Sequence, residues 1–290
     1  MSGELSDAYV VARRALLNAL EALGPQRDAV VLVGAQAIYV HTGDAGLAVA
    51  EYTTDADVAL DPSKLFVNPE LADTMRRAGF YRDITETDRA VGIWSSRCEI
   101  DGVPAIVKVD LLMPAALGGG GSRAARVHGH EKESVRVVSG LEGCLIDMSP
   151  HVIAPLESGD TRSFEIMVAG PASLLVSKVI KINERVAAVD HGGRDRRKNK
   201  DALDVLRILR AVAIDELAVG IGLLLQDELS RSVTETALEV LPGLFGTSDG
   251  PGSLMAAEAA FPLEPSEVTA ASCAALVTEL LGALDSTRHA

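Results

Sequence analysis

Cysteine is scarce in this 290-residue chain, and the three present, Cys98, Cys144 and Cys273, are odd in number and widely scattered. A disulfide framework or a cysteine zinc site is therefore not expected, and all three are read as reduced and buried. No apolar run approaches the roughly 20 residues that a membrane-spanning helix needs. The segment Met1 to Asp7 lacks the basic-then-apolar layout of a signal peptide. A cytoplasmic protein with no membrane partner is the expectation. Positive charge is also short: 27 Lys and Arg stand against 41 Asp and Glu, a net −14. Such a balance argues against a protein that coats nucleic acid through its whole surface. There is no internal repeat, and no low-complexity tract beyond Gly118–Gly121. With 48% hydrophobic and 23% charged residues, disorder and collagen are excluded and one large core or two smaller ones are within reach.

The negative charge is uneven. From Asp201 onward 14 acids and 4 bases give a net −10, leaving −4 for the first 200 residues. Just before that acidic tail, Arg194-Asp195-Arg196-Arg197-Lys198-Asn199-Lys200 places five bases and one acid in seven residues. Such a run is suited to a phosphate-rich partner.

Apolar spacing predicts an opening amphipathic helix over 8–23, capped by Ser6 or Asp7 and ended by Gly24. The β-branched run 29–33 predicts a buried strand that turns at Gly34 into a helix over 35–41. A second strand is expected at 56–60 and a proline-initiated helix at 69–80. Extended runs at 90–95 and 97–100 lead through Asp101-Gly102, a hairpin signal, to a strand at 105–112. The four glycines from 118 to 121 predict a mobile loop, and short strands follow at 135–138, 152–154 and 164–168. After Gly170-Pro171 the pattern becomes helical, at 172–188, 199–212, 214–226, 228–244 and 266–284. The expected architecture is an α/β N-terminal domain with a mixed β-sheet, residues 1–168, followed by an all-α C-terminal domain, residues 169–290.

The sharpest chemical feature is Thr54-Asp55-Ala56-Asp57-Val58. Residues i and i+2 of a strand share a face, so both carboxylates project together. Close acids repel unless a divalent cation lies between them, and an all-oxygen site suits Mg²⁺; the alternative is a solvated strand end. Asp110 lies in an apolar strand, where an unpartnered acid is costly to bury. It is either a third acid of the same site or the partner of Lys108. Val33-Gly34-Ala35 closes a strand and opens a helix, presenting backbone N–H groups to an anion such as a triphosphate. Lys178, in an apolar helical stretch, either snorkels or faces a site. Asp201 and Asp204 stand near a helix N-terminus, where acids are often dipole partners. Trp94 reads as core, and His128-Gly129-His130 as part of the mobile loop with Arg123 and Arg126.

In this order the pieces resemble the nucleotidyltransferase superfamily with the DNA polymerase β-like fold. Its signature is a glycine turn, then Asp-x-Asp, then a third acid on a later strand. Lys178, a stretch with arginine, and Lys200-Asp201-x-x-Asp204 resemble the C-terminal motifs of AbiEii-type toxins of bacterial toxin–antitoxin systems, including the mycobacterial MenT group. The likeness covers roughly residues 28–210. It implies that Asp55, Asp57 and Asp110 bind Mg²⁺ carrying a nucleoside triphosphate, with Gly34, Ala35 and Thr54 at the phosphates. Asp110 would also ease deprotonation of an acceptor hydroxyl. Lys178 would contact the triphosphate, Asp201 would be a catalytic or positioning carboxylate, and either Arg185 or Arg194 the intervening arginine. The implied partners are tRNA or another RNA acceptor and a cognate antitoxin protein.

Three positions depart from the pattern. Ala35 replaces the usual second Gly or Ser. The step from Ala35 to Asp55 is 20 positions. Glu51 stands where many relatives carry an arginine, so triphosphate charge would fall to Lys64, Arg97 or Lys108. A protein hydroxyl, a cationic aminoglycoside, or nucleotide binding without turnover are the competing readings.

Overall fold

A computed structural model of the chain describes residues 7–43, 55–83, 90–100 and 102–288. The elements in chain order are α1 (Asp7–Leu23), β1 (Val30–Val33), α2 (Gly34–Thr42), β2 (Asp55–Leu60), α3 (Leu71–Arg77), β3 (Ile93–Ile100) and β4 (Val103–Pro114). They continue with β5 (Arg136–Val138), β6 (Met148–Ile153), β7 (Phe164–Ala169), α4 (Pro171–Asp190) and α5 (Asn199–Ala211). The last four are α6 (Ile214–Gln226), α7 (Arg231–Phe245), α8 (Pro251–Ala260) and α9 (Ser266–Arg288). They form two compact units, neither contiguous in sequence. The first is Met1–Gln36, Tyr52–Val138 and Met148–Ala169; the second is Ala37–Glu51, Ser139–Asp147 and Gly170–Ala290.

The first unit is built on a seven-stranded mixed sheet in the order β3-β4-β2-β1-β7-β6, with β5 also on β4. In it, β1 is flanked by antiparallel β2 and parallel β7, and β2 runs parallel to β4. All four positions of β1 are buried, as a β-branched run between two strands must be. Strands β3 and β4 form the expected hairpin, pairing Ile100 with Val103. Gly102 takes the left-handed conformation that such a turn needs, at φ +74°. Asp101 lies outside the described residues. Helix α1 packs against β2, β3 and β4, and Trp94 is fully buried, its indole N–H donating to the Ser134 carbonyl at 3.0 Å.

Several local expectations change. The runs at 90–95 and 97–100 merge into one strand that begins only at Ile93, after a turn at Val91 and Gly92, because Ser95 and Ser96 continue the ladder to Lys108 and Val107. Helix α3 starts at Leu71 rather than Pro69, since the Glu70 carboxylate caps it by accepting from the Asp73 N–H at 2.8 Å. His130 is fixed rather than mobile: Nδ1 accepts from the Leu71 N–H at 3.1 Å and Nε2 lies 3.0 Å from the Phe66 carbonyl. The glycine run is a loop, with Gly119, Gly120 and Gly121 at positive φ, and the Arg126 N–H bonds Gly118 across it. Cys144 and Cys273 are buried, whereas Cys98 is half-buried.

In the second unit α4 packs against α5, α6 and α7, and α9 against α5, α6, α7 and α8. The start of α4 is held by Asp147, whose Oδ2 accepts from the Ser173 N–H at 2.9 Å. A Cβ at Gly170 would stand 2.0 Å from the other Asp147 oxygen, which accounts for the glycine there. Helix α8 escapes sequence reading because its alanine-rich run has little apolar contrast between faces. It lies close on the Phe245 ring at Gly252, where a Cβ would meet ring carbons at 2.6–2.7 Å.

One segment, Ser266–Ser286, is long and apolar enough to cross a membrane by length and composition, contrary to the expectation that no run is. Yet α9 buries a single stripe, Ala270, Cys273, Val277, Leu280 and Leu284, at the three- and four-residue spacing of one helix face. A helix that buries such a stripe packs against its neighbours by one face. Leu280→Ala should cost about 2–5 kcal/mol and Ala275→Ser, on the exposed face, less than about 0.5 kcal/mol, as read by urea denaturation.

Candidate active site

Two groups of charged side chains stand out, one in each unit. The first lies on one face of the sheet. Parallel pairing of β2 with β4 sets Asp55 opposite Lys108 and Asp57 opposite Asp110, so all four project from the same face. On the other side of β2, antiparallel β1 pairs Val33 with Asp57, which brings the turn after Val33 onto that carboxylate. Gly34 has φ +68°, and a Cβ there would stand 2.2 Å from Asp57 Oδ2. Glycine is thus required twice, by its backbone and by the carboxylate against it. The helix that follows, α2, begins with Gly34, Ala35 and Gln36, whose N–H groups have no partners inside the helix.

Two residues that sequence reading overlooked hold this arrangement in place. Gln36, fully buried, donates to the Asp55 carbonyl at 3.4 Å and accepts from Arg13 Nε at 3.0 Å. Arg13, on α1, also donates to the Ala154 carbonyl at 3.1 Å and the Tyr9 hydroxyl at 3.0 Å. A glutamine in the first turn of an apolar helix, and an arginine beside the apolar stripe of α1, were the available signals.

The partner of Asp110 is Arg136 rather than Lys108. Arg136 Nη2 donates to Asp110 Oδ2 at 2.5 Å, because β5 pairs with β4 and sets Arg136 beside Leu112 on the same face. Burial raises the Asp110 carboxyl most, the Asp57 charge raises it further, and Arg136 opposes both. With Asp55 adding to the rise, the value is pushed up to about 7. Of the cations suggested for the triphosphate, Lys108 shares the acid face, and so does Arg97, which pairs with Ile106. Lys64 pairs with Asp61 at 3.4 Å and Arg97 lies over the Tyr81 ring. Thr54 and Glu51 lie outside the described residues.

The donors on this face are oxygens, and three acids lie within electrostatic reach of one another, a set that fits a hard divalent cation. Among the described residues no three His, Cys, Asp or Glu side chains are already arranged to hold a metal ion. Arg136 holds one oxygen of Asp110.

The second group lies on α4 and α5. Lys178, Lys181 and Arg185 follow one another at helical spacing and converge on Asp201. Lys178 Nζ donates to Asp201 Oδ1 and Asp204 Oδ2, both at 2.7 Å; Lys181 reaches Oδ1 at 3.0 Å and Arg185 reaches Oδ2 at 2.5 Å. Of the two arginines considered between Lys178 and Asp201, Arg185 reaches Asp201, while Arg194 is exposed in the loop before α5. Burial alone would raise the Asp201 carboxyl, but the charges of Lys178, Lys181 and Arg185 hold it far below the ordinary range. Burial would lower Lys178, and the charges of Asp204 and then Asp201 raise it instead. Lys178 is itself buried, and its ammonium is spent on these two acids.

Two expectations follow. Gly34→Ala should cost about 1–2 kcal/mol for the left-handed backbone alone and more for displacing Asp57, measured by thermal unfolding. Lys178→Met, which strips Asp204 of its cation, should cost about 3–5 kcal/mol. The pH profile should locate this network. Asp201, with a lowered folded value, contributes fully above about pH 4 and loses that contribution as pH falls. Lys178, with a raised folded value, contributes fully below about pH 10 and loses it as pH rises. The wild-type-to-Lys178→Met difference should accordingly be level from about pH 5 to 10 and shrink toward acid.

A nucleotidyltransferase family model matches residues 12–218, a span that takes in the whole sheet, the Gly34 turn, the three acids and the α4–α5 network. No curated protein and no solved structure matches the chain. With more than half of its length matched, the chain belongs to the nucleotidyltransferase family and is an enzyme of nucleotidyl transfer.

Proposed function

We propose that the protein is a Mg²⁺-dependent nucleotidyltransferase toxin that moves nucleotides from a nucleoside triphosphate to an RNA acceptor, the 3′ end of tRNA, and so blocks translation. The observation that carries this reading is the adjacency of the Gly34 turn, Asp57 and Asp110 on one sheet face. The RNA acceptor is supported by the loop between α4 and α5. Arg194, Arg196 and Lys198 are exposed there in a chain of net −14, and Arg197 is forked onto Asp195. The toxin assignment rests on the Lys178, Arg185 and Lys200-Asp201-x-x-Asp204 motifs, and a cognate antitoxin protein goes with it.

In this reading Asp55 and Asp57, with Asp110, would hold the metal, which when bound offsets triphosphate charge. The N–H groups of Gly34, Ala35 and Gln36 face the phosphates, as at other helix N-termini. The acceptor 3′ oxygen attacks the α-phosphorus, the α–β phosphoanhydride bond breaks and pyrophosphate leaves. Asp110, beside Asp57 on the same face, is the carboxylate suited to take the hydroxyl proton. Lys178, Asp201 and Asp204 act as positioning residues that fix Lys181 and Arg185.

Controlled expression in a bacterial host, scoring growth and tRNA 3′ ends together, tests the proposal. Wild type should arrest growth and lengthen the tRNA, and Asp55→Ala should do neither. Normal growth with unaltered tRNA would overturn it in favour of a protein or aminoglycoside acceptor.

A further inference from the structure

Arg136 is hydrogen-bonded to the acid face, and no motif accounts for it. Its position is enforced by the sheet. Strand β5 takes over the edge of β4 that β3 leaves at Gly92, where the Leu111 N–H bonds the Gly92 carbonyl at 2.8 Å. Gly92 has φ +69°, and a Cβ there would stand 2.5 Å from the Arg136 backbone nitrogen and 2.7 Å from its Cβ. The strand end is thus cut away to admit Arg136. The guanidinium then reaches along the face to Asp110 Oδ2 at 2.5 Å, yet its Nε is buried with no hydrogen-bond partner among the described residues. A guanidinium has five donors in a fixed fork, and leaving a buried one unpaired costs free energy. Arg136 leaves that donor unmet while neutralising the carboxylate that faces Asp57 across the strands.

We propose that Arg136 is a built-in counter-cation for the carboxylate face: it holds Asp110 while no divalent cation is bound, and it competes with that cation for the same carboxylate. The inference rests on the metal reading given above. Asp55, Asp57 and Asp110 carry acid groups on adjacent strands; Lys108 lies opposite Asp55, and the Arg136 guanidinium offsets one negative charge at Asp110. A divalent ion entering there meets the guanidinium charge as well as the acids, so Asp110 must exchange one cation for the other. Arg136 is in this sense a positioning residue, acting through Asp110.

Mn²⁺ binding, measured by electron paramagnetic resonance on wild type, Arg136→Gln, Arg136→Lys and Asp57→Asn, tests this apart from any turnover. Wild type should bind and Asp57→Asn should lose binding. Arg136→Gln should bind Mn²⁺ about tenfold tighter or more, and its metal-free melting temperature should fall below wild type, with the gap closing at saturating Mn²⁺. Arg136→Lys, which keeps the charge, should lie near wild type. Equal or weaker binding by Arg136→Gln, with wild-type binding intact, overturns the proposal and leaves the metal reading standing. Wild type that binds no Mn²⁺ overturns both. Should Arg136→Gln not fold, the wild type answers alone: the Arg136 Nε–Hε resonance should move on titration with diamagnetic Mg²⁺, and a stationary resonance at saturation overturns the proposal.

Discussion

Asp57 and Asp110 are register partners in a parallel strand pair, and this like-charge adjacency is the constraint that the first unit is arranged around. Neighbouring strands lie about 4.8 Å apart, so two ionised carboxylates there repel, and Asp55, two residues back along β2 on the same face, adds to the repulsion. The fold meets this strain locally. Gly34 lets the turn close directly over Asp57, Arg136 takes one oxygen of Asp110, and Gln36 fixes the start of β2 through the Asp55 carbonyl. None of these removes the crowding. A site that stores unfavourable charge in this way gives up stability for function, as sites built for reaction commonly do.

The acid face was legible because it is local. Asp-x-Asp on a strand has a fixed period, and a glycine between a β-branched run and a helix has few other uses. Asp110 was legible as anomalous, but its partner was not. Lys108, two residues away, shares its face, yet the register sets Lys108 opposite Asp55. Arg136 arrives from 26 residues downstream, by way of a three-residue strand whose pairing no local pattern reports. Arg13 and Gln36 were missed for the same reason: their bond links α1 to α2 across 23 residues. That Arg185 would join Lys178 and Lys181 on Asp201 was open to reading from periodicity alone, since the three recur at three and four residues on one helix face.

The helical unit shows where composition misleads. Ser266–Ser286 passes a membrane test on length and hydropathy, but burial at alternating three- and four-residue steps identifies a packing face. Helix α8 shows the converse: its small side chains carry no periodic signal, and its place is set by the Phe245 ring beneath Gly252. In both cases the deciding information is what the neighbouring element presents, and a single chain read along its length does not carry it.

Asp110 and Asp201 are the same chemical group in two opposite electrostatic settings, and the contrast separates their roles. Asp201 is surrounded by Lys178, Lys181 and Arg185, so its charge is over-compensated and its carboxyl is held far below the ordinary range. A group that stays ionised across all working conditions cannot exchange a proton; what it can do is hold cations in place. Asp110 has Arg136 set against the charges of Asp57 and Asp55, and it sits at about 7. Its charge is under-compensated, so it gains by accepting either a proton or a metal ion. Excess cation around one acid and deficient cation around the other therefore leave the first permanently charged and the second open to a further cation. Arg136, the compensating charge held on Asp110, is then the residue whose removal should alter the site's appetite for cations most.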